Sequence, residues 1–292
     1  MQKFKSPQAF MKNVNVLELT NRIKQFRSLD LQKMNEKELY EQIQQVLLFD
    51  GQCSFFSNYC TIEFGHLYRV RKISKLEQIE KSSEDDFWNP PPKFVEDYGR
   101  LNKPNESLLY TSRTRPIAAV QELKIKENNI FFLIVYRVTR NIQAIEIGGD
   151  YDFHYQNLGK SSENIILINE TYNNFFRDEF CRDVGIGTEY LYKLSVAIAR
   201  NIFSFPPSGE KFIDAMQYPS VCSKKDWNVC ILPEKVKELL AVQSVMVVQY
   251  FGADRIIPIK IMQGYDKKGN AKFYNLKPDE KLKFSDSWWK DF

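Results

Sequence analysis

Four side chains whose types can bind ligands and do chemistry stand in the order Arg, Tyr, Glu, Ser. Arg69 lies in HLYRVRK at 66–72, Tyr110 in LLYTS at 108–112, Glu122 eight residues after Thr114, and Ser220 in MQYPSV. A guanidinium binds phosphate oxygens as an always-charged fork. A fixed carboxylate can accept hydrogen bonds or stabilise developing positive charge. A tyrosine ring offers a stacking face, and a serine hydroxyl offers a donor. Taken singly, each has a plain structural use: Arg69 and Arg71 as charges on an edge strand, Tyr110 as packing, Glu122 as a solvated helix residue and Ser220 as a turn residue after proline. Only the ordered set points to chemistry.

The elements that must position these residues follow from local pattern. TIEFGHLYRVRKI at 61–73 alternates as a strand, with Leu67, Arg69 and Arg71 on one face and Tyr68 and Val70 on the other. LLYTS reads as a short strand. A helix is expected to start near Thr114, Arg115 and Pro116, since threonine caps well and proline is tolerated in a first turn. Glu122 then falls two turns into it. IFFLIVYRVT at 130–139 is apolar enough for a central strand, and IQAIEI at 142–147 is another. DAMQYPSV and NVCILP are read as extended arms around the turn CSKKDW.

Farther out, residues 14–48 predict two amphipathic helices. Leu19, Ile23 and Phe26 form the stripe of the first, and Leu39, Ile43, Val46 and Leu47 that of the second, which Asn35 and Glu38 should cap. SKLEQIEKSSEDD is read as polar and solvated, and FWNPPPKF as a stiff loop or lid at the edge of the site. A helix with Tyr172, Phe175, Phe176 and Phe180 inward precedes GIG at 185–187, a turn lacking the further features of a nucleotide loop. Another helix carries Leu191, Leu194 and Ile198. The end predicts three strands, SVMVVQYF, RIIPIKIMQ and AKFYN, with Pro258 at an edge or a bulge and two tryptophans of SWWKDF docked on the body.

The 292 residues suffice for a full core, and 43% hydrophobic with 14% aromatic residues excludes a disordered chain. A net charge of +4, from 41 basic and 37 acidic residues spread over the chain, argues against nucleic acid as a direct ligand. Five cysteines without CxxC spacing, beside two histidines, predict reduced thiols and no metal site. The longest strongly apolar run is far short of the roughly 20 residues a membrane helix needs. With no signal-peptide pattern at the start, the expectation is a cytoplasmic protein without membrane attachment.

Taken together, Tyr68-Arg69, Gly99-Arg100-Leu101-Asn102, Leu109-Tyr110, Ala119-Val120-Gln121-Glu122, Tyr218-Pro219-Ser220 and Asn228-Val229 resemble, in order and separation, the motifs of the RES domain family. The resemblance covers about residues 61–240. It implies an α+β fold, a split β-sheet similar to that of ADP-ribosyltransferases flanked by helices. Three parts are expected: an N-terminal helical extension (1–60), the RES-like domain (61–242) and C-terminal strands packed on that domain (243–292).

The function implied is cleavage of the nicotinamide–ribose bond of NAD, as substrate, without a metal. Members are commonly toxins of toxin-antitoxin pairs, held by an antitoxin of helix-turn-helix type. By motif position, Arg69, Tyr110, Glu122 and Ser220 are the catalytic set, with Tyr68, Arg71, Arg100, Asn102 and Asn228 binding the dinucleotide. Arg69 would take the phosphates, with Arg71 in reserve, while Tyr110 stacks on nicotinamide and Glu122 takes the ribose. The acceptor stays open: water gives a glycohydrolase, inorganic phosphate an NAD phosphorylase, with Arg113 or Arg115 as candidate cations, and a protein side chain an ADP-ribosyltransferase. A silent NAD-binding or interaction module is the alternative from another class, and the first helices leave a homodimer open.

Overall fold

A computed structural model describes residues 14–53, 58–149, 163–185, 187–205, 213–223 and 225–277. The centre of the GIG turn and the SWWKDF tail lie outside the described residues.

Its strands are β1 (Leu48–Phe49), β2 (Gln52–Cys53), β3 (Asn58–Ile62), β4 (His66–Lys72), β5 (Leu109–Ser112), β6 (Ile130–Val138), β7 (Ile142–Glu146), β8 (Ala215–Pro219), β9 (Trp227–Ile231), β10 (Leu240–Tyr250), β11 (Ile256–Tyr265) and β12 (Ala271–Asn275). β1 and β2 pair alone, and the other ten form one sheet in the order β12-β11-β10-β6-β4-β5-β9-β8-β7-β3. The chain is therefore α+β, built on a large sheet with helices.

Two compact units emerge, and they are discontinuous in sequence. One draws on Met1–Tyr59, Asp97–Pro104 and Ile145–Lys211, the other on Cys60–Glu96, Asn105–Ala144 and Phe212–Phe292. The helices of residues 14–48 thus cluster with later helices instead of standing as an extension. Position 242 falls inside β10, which pairs with β6 over most of its length, so the last strands belong to the sheet itself.

In the first unit, helices Val16–Arg27 and Glu36–Leu47 bury the stripes that their period predicts. Asn35 and Glu38 form the expected capping box, worth about 1 kcal/mol. The helix Glu163–Phe180 buries Tyr172, Phe175, Phe176 and Phe180. Phe26 meets Phe175 edge-on at 5.5 Å between centroids. A short 3-10 turn, Glu189–Leu191, leads into the helix Tyr192–Asn201, which carries Leu194 and Ile198 inward.

The second unit holds β4, β5, β6 and β8 to β12 in full. β6 is central as its apolar run predicts, with β10 on one side and β4 on the other. β4 pairs with β6 over its whole length but with β5 only at Tyr68 opposite Ser112, so the ladder all but breaks between β4 and β5. Pro258 sits in β11 between two neighbours, and the missing donor is absorbed by a register shift opposite Val247 and Val248. The β11–β12 turn is closed by Asp266, whose Oδ1 accepts the N–H groups of Lys268 and Asn270, with Gly269 in the left-handed region at φ 83°.

The acidic insert and the proline-rich connector differ from the sequence expectation. A short helix at Glu77–Glu80 buries Ile79, and a 3-10 turn at Glu84–Phe87 leads to Phe87 and Trp88, both in the core. The reason is aromatic packing: Phe87 meets Phe132 and Trp88 meets Tyr136, a use that the surrounding acidic and proline residues conceal.

Candidate functional site

The helix Pro116–Glu122 is short and apolar at its start. Pro116 occupies its first turn, and Ile117, Ala118, Ala119 and Val120 are buried. Ile117, Ala119 and Val120 join Tyr68 and Val70 in one cluster, so the helix lies on the sheet face from which Tyr68 projects. Arg115, not Thr114, is the N-cap residue. The Thr114 hydroxyl instead accepts the Trp227 N–H at 2.9 Å, because β9 runs close beside it.

Glu122 ends this helix, half-buried, and one of its oxygens receives three donors. Oε1 accepts from Ser220 Oγ at 2.6 Å, from the Val221 N–H at 2.8 Å and from Asn228 Nδ2 at 2.9 Å. Oε2 accepts no hydrogen bond from the described residues. Three donors on one oxygen fix the orientation of the carboxylate and leave the other oxygen without a hydrogen bond from the described residues.

The segment that supplies those donors is itself braced. Ser220 is fully buried, and its N–H donates to the Asp226 carbonyl at 2.8 Å. The Asp226 carboxylate, 2% exposed, takes Arg115 in a two-point grip, with Nε to Oδ1 at 3.1 Å and Nη2 to Oδ2 at 2.6 Å. Arg115 precedes the helix that carries Glu122, and Asp226 lies between Ser220 and Asn228. One ion pair therefore ties the carboxylate's helix to the loop that holds it. Asp226 also keeps the Arg115 guanidinium protonated still more firmly than usual, through its hydrogen bond.

Strand register places the aromatic candidates on the same face. Tyr68 faces Ser112, Ser112 faces Asn228, and Asn228 faces Tyr218; Tyr110 faces Cys230 one row along. Side chains two apart share a face, so Tyr68, Tyr110 and Asn228 all project toward the side on which Glu122 lies. Tyr110 is half-buried, with its side chain hydrogen-bonded to the Cys230 thiol. Burial pushes that thiol well above its ordinary value, and burial likewise raises Tyr68.

Arg69 and Arg71 leave β4 on the opposite face. Arg69 donates to the Trp88 carbonyl and lies within hydrogen-bond reach of Tyr136. Arg71 reaches the Asp86 carbonyl and its carboxylate, both at 2.7 Å. Arg100 and Asn102 belong to the first unit. There Arg100 is buried, donates to the Phe180 carbonyl and lies 5.0 Å over the Tyr192 ring. Asn102 donates to the Lys103 carbonyl at 3.0 Å. The structure thus gathers Glu122, Ser220 and Asn228 directly, with Tyr68 and Tyr110 on their face.

Sequence reasoning did not single out three parts of this site: the Val221 N–H, Asp226, and the grip of Arg115 on it. A backbone donor carries no residue signal. Arg113, the other cation near β5, donates to Gln217 at 2.9 Å. Among the described residues no group of three or more His, Cys, Asp or Glu side chains is placed to hold a metal ion. No described helix is long and apolar enough to cross a membrane. No protein-family model matches the chain, and neither a curated protein nor a solved structure is similar to it.

Proposed function

We propose that this protein cleaves the nicotinamide–ribose bond of NAD. The observation that carries the reading is the Glu122 carboxylate, with Oε1 held by Ser220, Val221 and Asn228 and Oε2 taking no hydrogen bond from the described residues. As the C1′–N bond breaks, its electron pair neutralises the pyridinium and nicotinamide leaves. Positive charge spreads over C1′ and the ring oxygen, and a preoriented carboxylate lowers the energy of that state. An acceptor oxygen from water or phosphate then bonds to C1′ and gives up its proton. Tyr110 and Tyr68 offer faces to the nicotinamide ring, while Ser220 and Asn228 hold Glu122.

This assignment changes two roles taken from the family resemblance. Asn228 holds the carboxylate instead of touching the dinucleotide, and Arg69 is not given the diphosphate, since it leaves β4 on the other face. The wider reading is that of a RES-like, cytoplasmic toxin with a split ADP-ribosyltransferase-like sheet and an antitoxin of helix-turn-helix type. The near break between β4 and β5 supports a split sheet.

The test is NAD consumption by the purified chain with and without inorganic phosphate, beside Glu122→Gln, with products separated by chromatography. ADP-ribose identifies hydrolysis and a phosphorylated ADP-ribose identifies phosphorolysis. No loss of NAD in either condition, together with no labelling of lysate proteins from labelled NAD, overturns the reading.

A further inference from the structure

The helix that carries Glu122 is seven residues long, too short to keep its form without outside contacts. Ile117 to Val120 bury it on the sheet, and Arg115 ties its start to Asp226. Its last turn has a second tie, to the turn that joins β10 and β11. Gln121, the neighbour of Glu122, donates from Nε2 to Asp254 Oδ1 at 2.7 Å. Asp254 also lies close enough to Arg115 that its charge, after the hydrogen bond and charge of Asp226, helps to raise that guanidinium.

The turn holds Asp254 in a conformation that side chains rarely adopt. It is closed by the Arg255 N–H on the Gly252 carbonyl at 2.9 Å, and both central residues have positive φ, 46° at Ala253 and 62° at Asp254. Hairpin turns with two such residues favour Asn-Gly, Asp-Gly or Gly-Gly, so glycine is the usual residue where Asp254 stands. The base of the turn is fixed. Tyr250 exchanges backbone hydrogen bonds with Asn128 at 2.7 Å and Asn129 at 3.0 Å, in the segment that follows the Glu122 helix. The hydrogen bond to Gln121 is exposed, and such a bond adds little stability to set against a side chain kept in the left-handed region. Strain kept beside a site points to a role in positioning.

We propose that Asp254 is a positioning residue: through Gln121 it holds the end of the Pro116–Glu122 helix, and with it the Glu122 carboxylate, against Ser220, Val221 and Asn228. The helix is then clamped at both ends, by Asp226 on Arg115 and by Asp254 on Gln121. The effect of this clamp on turnover rests on Glu122 acting on NAD. The clamp itself has a readout free of that reading, the Val221 N–H, which donates to Glu122 Oε1 at 2.8 Å.

Asp254→Gly removes the tie and gives the turn the residue it favours, so the thermal midpoint should not fall. Amide exchange of Val221, followed by NMR, should quicken by about tenfold, and NAD turnover should drop by about tenfold with little change in KM. Gln121→Ala removes the donor, leaves the turn intact and should repeat both effects. Asp254→Asn keeps the acceptor oxygen and should match the native chain. The proposal is overturned if Val221 exchanges at the native rate in Asp254→Gly, or if Asp254→Asn loses as much as Asp254→Gly. A lowered midpoint with exchange quickened alike across the whole sheet would mean general destabilisation, and overturns it too. Should the native chain leave NAD intact, the reading of Glu122 on NAD fails alone, and Val221 exchange still decides the role of Asp254.

Discussion

Ser220 Oγ donates to Glu122 Oε1 at 2.6 Å across a sequence separation of 98 residues. The hydroxyl is fully buried, and the same oxygen takes the Val221 N–H and Asn228 Nδ2, so the carboxylate is held from one side only. Glu122→Gln keeps the size and removes the charge. Turnover of NAD should fall by roughly 100-fold to 1,000-fold, the usual loss when a preorganised electrostatic group is removed. Unchanged turnover would withdraw Glu122 from the chemistry.

Asn228→Ala removes one of three donors to the carboxylate. The expected stability loss is about 1 kcal/mol, typical of one hydrogen bond. If orientation matters, turnover should fall while the apparent affinity for NAD changes little. Equal movement of both would mean that Asn228 touches the ligand.

Arg115 is partly exposed, while the Asp226 carboxylate it grips is 2% exposed. Arg115→Met should therefore destabilise the chain by about 2 kcal/mol, because a buried acceptor loses its charged partner. Asp226→Asn should cost less, since no buried charge remains. Denaturant unfolding of the two variants distinguishes them, and equal costs would contradict the asymmetry.

The Asp86 carboxyl is pushed upward by its burial, but the Ser83 donors and Arg71 outweigh this and hold it below its ordinary value of 3.8. A lowered folded value means that the unfolded chain binds the extra proton, so this stability is present above pH 4 and is lost as acid titrates the group. Asp86→Asn should flatten the fall in thermal midpoint between pH 5 and pH 3 relative to the native chain. A parallel fall in both would remove Asp86 from acid unfolding.

Cys222 is exposed, whereas Cys230 is buried and its thiol is raised well above the ordinary value by that burial. Iodoacetamide at pH 8 should label Cys222 readily and leave Cys230 unlabelled until the chain unfolds. Peptide mass spectrometry reads both. Early labelling of Cys230 would show that the β5–β9 pairing opens under native conditions.

Much of this architecture is local and could be read directly. The Leu19-Ile23-Phe26 stripe, the Asn35–Glu38 box and the alternation of β4 each depend on residues within a few positions of one another. Trp88 was harder, because its neighbours are acidic or proline and its partner Tyr136 is 48 positions away. Arg69 shows the limit most clearly. Motif order set it beside Glu122, although the alternation that the sequence displays already put it on the face away from Tyr68.

The sequence by itself determined the longer helices and most of the strands with their inward faces, and the ordered set Arg69, Tyr110, Glu122, Ser220, because propensity, period and capping act over single turns and single strands; it did not separate β3 from β4 or find the short helix Glu77–Glu80. Only the tertiary structure decided that three donors converge on one oxygen of Glu122, that Arg115 braces them through Asp226, and that Arg69 reaches the Trp88 carbonyl. Those facts depend on strand order and register, in which β9 lies between β5 and β8 and β4 meets β5 at a single pair. Pairing over such separations is fixed by the burial of the whole sheet, not by any short stretch of chain.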